Sequence, residues 1–340
     1  MVLYFKKENT SIAREKIPVL SQLTLLAVIL LLLLGGAVVP KIFALLKEKD
    51  IQNQTSIAQT NQTNKTDNAN HVSKEGDVEP FSNIDIKAKA AYVWDVSKQK
   101  ALYKKNSDEQ LPLASITKLM TALVAQEILS ENTTVAISDT AIRQDGDSGL
   151  LSGERFNRQK LSDLMLMSSS NDGAYALAAS AGKLLDASKP ASAFVKAMNI
   201  RADELGLHQT YFKNPTGLDI SKTKAGAYGS AKDIAFLMEY ILTHEASILD
   251  ATTDLENRIY SDDGFFHDAQ NTNYYIKEIP GLLASKTGYT DLAGGNLVIA
   301  FDAGLNRPII ISVLGSSYNE RFTDVQALVK EVQEYVIQNN

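Results

Sequence analysis

The chain has 340 residues, 44% of them hydrophobic and 22% charged, with a formal net charge of −6. That length buries a real core in one large domain or two small ones, and the acidic balance argues against nucleic acid as a partner. Having no cysteine, the chain forms no disulfide, thiol nucleophile or cysteine-ligated metal site. The four histidines (His71, His208, His244, His267) show no metal-ligand spacing, so neither metal nor cofactor is expected.

Residues Val19 to Val39 form a nearly continuous apolar run. About 20 such residues span a bilayer, and the core of a cleaved export signal is shorter. Lys6, Lys7, Arg14 and Lys16 precede the run and favour a cytoplasmic N-terminus, although Lys41, Lys47 and Lys49 follow it. The reading is a cytoplasmic tail over 1–16 and a single-pass transmembrane signal anchor over 17–40, with the rest on the extracytoplasmic side of the cell membrane. A long cleaved export signal would send the remainder to the same side. Residues 41–83 then turn polar, as in Asn61-Gln62-Thr63-Asn64-Lys65-Thr66, and read as a flexible linker that buries too little to fold.

The folded domain is expected over 84–340. Ala88, Ala90, Tyr92, Trp94 and Val96 alternate with Lys87, Lys89 and Asp95, the period of a strand with one polar face. A turn at Ser97–Gln99 leads to a second strand, Ala101–Lys104, and Ser115 to Leu129 reads as a helix with a wide apolar face. A largely helical middle follows, with helices at Lys160–Ser168, Asp172–Leu184, Ala191–Leu205 and Ala231–Ile241. Strands return at Leu282–Lys286, Asn296–Asp302 and Pro308–Leu314, before an amphipathic helix at Thr323–Ile337. Strands at both ends of the domain predict an α+β fold. One antiparallel sheet is built from both termini and flanked by helices, with a cleft where the helical insert meets it.

Three short motifs carry the chemistry: Ser115-Ile116-Thr117-Lys118, Ser169-Ser170-Asn171 and Lys286-Thr287-Gly288. Each is weak alone. Ser-x-x-Lys also occurs at Ser97, Ser180 and Ser221, and Ser-x-Asn at Ser130 and Ser317. Position selects among them. Ser97 lies in a turn, Ser180 inside a helix and Ser221 in a polar stretch, whereas Ser115 opens the most apolar helix of the domain. There it sits near free backbone N–H groups, and Lys118 follows one turn along the same face. Ser130 falls about 22 Å along that helix from Ser115, and Ser317 lies in a turn beyond the last motif. A lysine can act as base if burial or a neighbouring cation keeps its amine neutral, and Lys286 could supply that cation. Lys286 and Thr287 could also hold a carboxylate, Gly288 could let a ligand backbone approach closely, and Ser169 and Asn171 could relay a proton and orient a peptide.

The ordered trio is the general signature of β-lactamases and penicillin-binding proteins. Further blocks sharpen it: Leu111 to Ala122, Gly146 to Arg155, Met167 to Asp172, Asn214 to Asp219, Asn271 to Asn273, and Lys286 to Asp291 running into Ala293–Asn296. From about Ala88 to Asp302 the chain resembles the D-alanyl-D-alanine carboxypeptidases, the low-molecular-weight penicillin-binding proteins. The resemblance implies a β-lactamase/transpeptidase-like fold and a membrane-held enzyme acting on peptidoglycan stem peptides that end in D-Ala-D-Ala. It implies Ser115 as nucleophile, Lys118 as general base, and Ser169 and Asn171 as proton relay and amide grip. Lys286 and Thr287 would bind the terminal carboxylate, and the Ser115 and Tyr289 N–H groups would form the oxyanion hole. β-Lactams would acylate the same serine. Many relatives carry a β-rich second domain and a C-terminal anchor, whereas the anchor expected here is N-terminal. The middle of the second motif is Ser170, not the aspartate of class A β-lactamases.

A β-lactamase would need an added carboxylate to activate water, usually in Glu-x-x-Leu-Asn, and Glu204-Leu-Gly-Leu-His208 lacks the asparagine. A penicillin-sensing receptor would need a signalling domain, which Met1 to Lys16 is too short to hold. A transpeptidase would use the same serine, and the sequence does not separate the two acceptors.

Overall fold

The structure, a computed structural model, describes residues 80–304 and 306–339. The expected tail, anchor and most of the linker lie outside these residues. Among the described residues no helix is long and apolar enough to cross a membrane. Phe81, at the end of the expected linker, stacks on Tyr103 at 5.7 Å, and its N–H donates to Glu331.

The chain begins with β1 (Ala90–Asp95), β2 (Lys100–Lys105) and β3 (Leu111–Pro112), then a 3₁₀ turn (Ala114–Thr117) and α1 (Lys118–Ile128). The insert continues with β4 (Thr134–Ala136), β5 (Arg155–Asn157), α2 (Arg158–Ser168), α3 (Asn171–Leu185) and α4 (Pro190–Glu204). It ends with β6 (Tyr211–Phe212), β7 (Ala227–Gly229), α5 (Ala231–His244), β8 (Glu256–Tyr260) and β9 (Phe266–Gln270). The last elements are β10 (Leu282–Thr290), β11 (Gly294–Asp302), β12 (Pro308–Ser316) and α6 (Glu320–Gln338).

The main sheet has the order β10-β11-β12-β1-β2, every neighbour antiparallel, with Tyr92 opposite Ser312 and Lys286 opposite Val298. It joins the two ends of the domain, the layout the sequence predicts. Both faces are covered. Ala90, Tyr92, Val298 and Ile310 point to the insert helices, while Ala91, Val93, Ile299 and Ile311 meet Phe322, Val325, Leu328 and Val332 of α6. A sheet buried on both sides carries nearly continuous apolar strands, and each fully buried Val, Leu or Ile contributes about 1.5–3 kcal/mol.

Double coverage corrects one expectation. Asp95 belongs to no polar face; it is fully buried, and its Oδ2 accepts from Arg307 Nε at 2.9 Å. A second correction concerns α1, which is buried on every side over Lys118–Ala125 instead of along one face, as suits a helix that is apolar all round. The helical middle also holds strand pairs that the sequence does not announce. In the β8–β9 hairpin only Ile259 and Ala269 are buried, too few apolar positions to mark a strand period. The helix starts follow local capping: Asn157, Ser170 and Ser230 accept from backbone N–H groups three residues on.

Candidate active site

Ser115 lies within the 3₁₀ turn, not at the first turn of an α-helix as the sequence suggests; α1 proper begins at Lys118. In a 3₁₀ turn residues i and i+3 eclipse, which puts the two side chains of the first motif together. Lys118 Nζ and Ser115 Oγ are within hydrogen-bond distance at 2.9 Å. The turn is held from three directions. Leu113 N–H bonds Ala227 O, and Asn296 Nδ2 donates to both Pro112 O and Leu113 O. Ala114 has φ +49°, strained for a side chain with a Cβ. The Asn214–Asp219 loop presses on it so closely that a Cβ on Gly217 would stand 1.9 Å from Ala114 O.

Lys118 also donates to Asn171 Oδ1 at 2.7 Å and to Thr216 O at 2.8 Å, which binds the second motif to the first. Ser169 is the left-handed C-cap of α2, with φ +60°, and Ser170 is the N-cap of α3. The tight reversal between the helices therefore aims Ser169 and Asn171 into the cleft while Ser170 is used structurally. Lys286 Nζ, from β10, reaches Ser169 Oγ at 3.0 Å. A chain of contacts, Ser115–Lys118–Asn171 and Ser169–Lys286, thus joins the three motifs.

β10 is an edge strand. Ser285 N–H bonds outward to Thr252 Oγ1, and strand alternation sends the N–H groups of Thr287 and Tyr289 to the same edge. Thr287 Oγ1 hydrogen-bonds Thr272 Oγ1 within the Asn271–Asn273 turn. Gly288 packs closely against the nucleophile turn. A Cβ there would meet Leu113 O at 2.8 Å and Ile116 N at 3.1 Å, so its bareness lets β10 lie against the nucleophile turn itself. The Tyr289 ring is half exposed and edge-on to Tyr318. Asp219 accepts from Thr290 Oγ1 and Leu292 N–H, tying the end of β10 to the loop that supports Ala114.

Both lysines are buried, Lys118 with 0% and Lys286 with 1% of its surface exposed. Burial, reinforced by the charge of Lys286, holds the Lys118 amine well below the usual lysine range. Burial and the nearby Arg321 guanidinium lower Lys286 to about 7. A neutral amine 2.9 Å from a hydroxyl can take its proton as the oxygen attacks.

Of the histidines, His267 bonds Glu154 and His244 stacks on Tyr240, and the hydrogen-bond partner of Ser115 is a lysine. The repeat motifs have structural uses: Ser221 pairs with Lys224 in a turn, and Ser317 Oγ accepts from Glu320 N–H at the start of α6. Sequence reasoning missed Arg321, Thr216 and the pinning role of Asn296. Arg321 follows the Ser317/Asn319 pair, and its spacing carries no catalytic signal.

Residues 74–317 match the family described as D-alanyl-D-alanine carboxypeptidase, peptidase family S11. The chain belongs to this family. It is 35% identical over 256 residues to D-alanyl-D-alanine carboxypeptidase DacF of Bacillus subtilis, covering 73% of this chain and 62% of that relative. It is also 30% identical over 253 residues to the D-alanyl-D-alanine endopeptidase of Escherichia coli, covering 72% of this chain and 76% of the relative. Penicillin-binding protein D2 of Listeria monocytogenes, solved in its ampicillin-bound form, is similar at 30% identity and a TM-score of 0.59, over 73% of this chain and 98% of that one. A D-alanyl-D-alanine carboxypeptidase of Mycobacterium tuberculosis shares the fold at 24% identity and a TM-score of 0.65, over 76% and 96% of the two chains.

Proposed function

We propose that this S11-family chain is a serine-type D-alanyl-D-alanine carboxypeptidase that removes the terminal D-alanine from peptidoglycan stem peptides. The observation that carries the reading is the Lys118 amine, buried, with its pKa held well below the usual lysine range, 2.9 Å from Ser115 Oγ. Ser115 attacks the carbonyl of the penultimate D-alanine as its proton passes to Lys118. The negative charge on the carbonyl oxygen is met by the N–H groups of Ser115 and Tyr289, an arrangement commonly worth several kcal/mol. Lys286 and Thr287 bind the terminal carboxylate, Asn171 grips the peptide amide, and Ser169 helps carry a proton to the departing amine. D-Alanine leaves, and water then hydrolyses the acyl-serine. β-Lactams acylate the same oxygen; the ampicillin-bound Listeria relative supports that part of the reading.

The expected location belongs to the same proposal. The apolar run Val19–Val39 and the basic residues before it support a single-pass anchor that leaves the catalytic domain outside the cytoplasmic membrane.

A second reading, cleavage within a peptide cross-link, draws on the E. coli endopeptidase, 76% of which the chain spans. One experiment addresses both. The purified full chain is incubated with labelled penicillin, with a linear peptide ending in D-Ala-D-Ala, and with a cross-linked peptide dimer. Stable labelling of Ser115 and release of free D-alanine, both lost in Ser115→Ala, support the carboxypeptidase. Faster cleavage of the dimer than of the linear peptide would favour the endopeptidase. Rapid penicillin turnover would point to a lactamase, and labelling without cleavage of either peptide to a sensor.

A further inference from the structure

Arg321 stands at the second position of α6, on the far side of β10 from the open strand edge. It is buried, with 2% of its surface exposed, and Nη1 donates to Gly288 O at 2.8 Å. The guanidinium is held over the rings of Tyr318 and Phe322, at 4.6 and 4.7 Å from their centroids, and Nε is buried without a hydrogen-bond partner. Room for the side chain is built into β11. A Cβ on Gly295 would stand 3.2 Å from Arg321 Cδ and 2.0 Å from Ser317 O. A buried cation with no carboxylate partner stabilises the fold poorly. Its placement therefore calls for another explanation.

The bonded carbonyl supplies one. Gly288 C=O and Tyr289 N–H belong to the same peptide group, and with no cis bonds among the described residues they point in opposite directions. With the carbonyl turned to Arg321, the N–H is aimed at the open edge where the Ser115 turn lies. A charge-assisted bond to the oxygen draws electron density through the amide, so the N–H on the far side becomes a stronger donor. The geometry points to Arg321 as a positioning residue that orients and strengthens the Tyr289 N–H for the oxyanion of acyl transfer. This inference rests on the acyl-serine reading above.

The same cation also faces Lys286. Burial lowers both buried lysines; after it, the charge of Lys286 lowers Lys118 and the charge of Arg321 from α6 lowers Lys286. Around Arg321 itself lie the hydroxyls of Tyr274, Tyr289 and Tyr318, with Tyr274 and Tyr318 bonded to each other at 2.7 Å.

The test separates binding from chemistry in Arg321→Met and Arg321→Lys, using the full chain and labelled penicillin. Losing an oxyanion donor outright costs about 100–1,000-fold, so weakening one is expected to slow acylation at saturation by about tenfold. The preceding dissociation constant should stay the same. Arg321→Lys, which keeps the charge, should recover a large part of the rate, and the Lys286 midpoint in the pH–rate profile should rise in Arg321→Met. Wild-type acylation rates in Arg321→Met would overturn the inference and leave the acyl-serine reading intact. So would rates in both variants that fall only in step with the unfolded fraction measured on the same samples. Failure of the wild-type chain to form an acyl-Ser115 would instead remove the reading on which it rests.

Discussion

At one end of the main sheet Asp95 and Arg307 are buried together, Nε to Oδ2 at 2.9 Å, whereas at the other end Lys118, Lys286 and Arg321 are buried beside neutral groups. The cleft partners are two hydroxyls, an amide and backbone carbonyls: Ser115, Asn171 and Thr216 for Lys118, Ser169 and Thr287 for Lys286, and Gly288 for Arg321. The first arrangement is how a fold tolerates buried charge. The second buries cations without an anion; burial first, and the neighbouring charge after it, lowers the lysine pKa values and prepares a place for a carboxylate. The contrast separates a structural ion pair from a reactive site within one sheet.

Four experiments press on that contrast, in falling order of effect. Lys118→Ala removes the buried amine, and acylation of Ser115 by labelled penicillin should slow by about 10²–10⁴-fold; an unchanged rate would refute the lysine base. Asp95→Ala leaves Arg307 buried without its partner and should lower unfolding stability by about 3–5 kcal/mol in urea titrations. The folded fraction of that variant should acylate normally, since the pair lies at the opposite end of the sheet. The third experiment reads pH. Lys286 titrates at about 7 in the folded protein against 10.5 for the unperturbed side chain, so between those values the unfolded chain binds more protons. Its contribution therefore makes stability rise as pH rises through that window. Lys286→Met should flatten that rise relative to wild type and weaken binding of substrates with a free carboxylate. Equal pH slopes for the two proteins would contradict the burial of an unpaired cation. The smallest effect is expected from Thr290→Val, which removes the bond to Asp219 and should cost about 0.5–1.5 kcal/mol of stability. A loosened β10 edge should also slow acylation a few-fold, measured in the same assay.

The strands at both ends and the long helices were legible because apolar periodicity and caps mark them, as at α5, where Ser230 precedes an amphipathic run. The β8–β9 hairpin was hidden because it buries one residue per strand. Asp95 misled because alternation predicts a solvent face only when a sheet has one. In the site, short motifs flagged the groups that touch one another, but not the groups that hold them. The 3₁₀ geometry at Ser115 depends on Gly217 and Asn296, far along the chain, and Arg321 acts through a backbone carbonyl that no residue pattern records. Long-range backbone support of this kind leaves little trace in local sequence.

The charge state of Lys118 can be measured directly by titrating the protein with carbon-13-labelled lysines and assigning the signal with Lys118→Ala. A Lys118 resonance characteristic of the neutral amine at physiological pH would agree with burial beside a second cation. A side chain still fully protonated about two units above neutrality, where ordinary lysines remain charged, would contradict it.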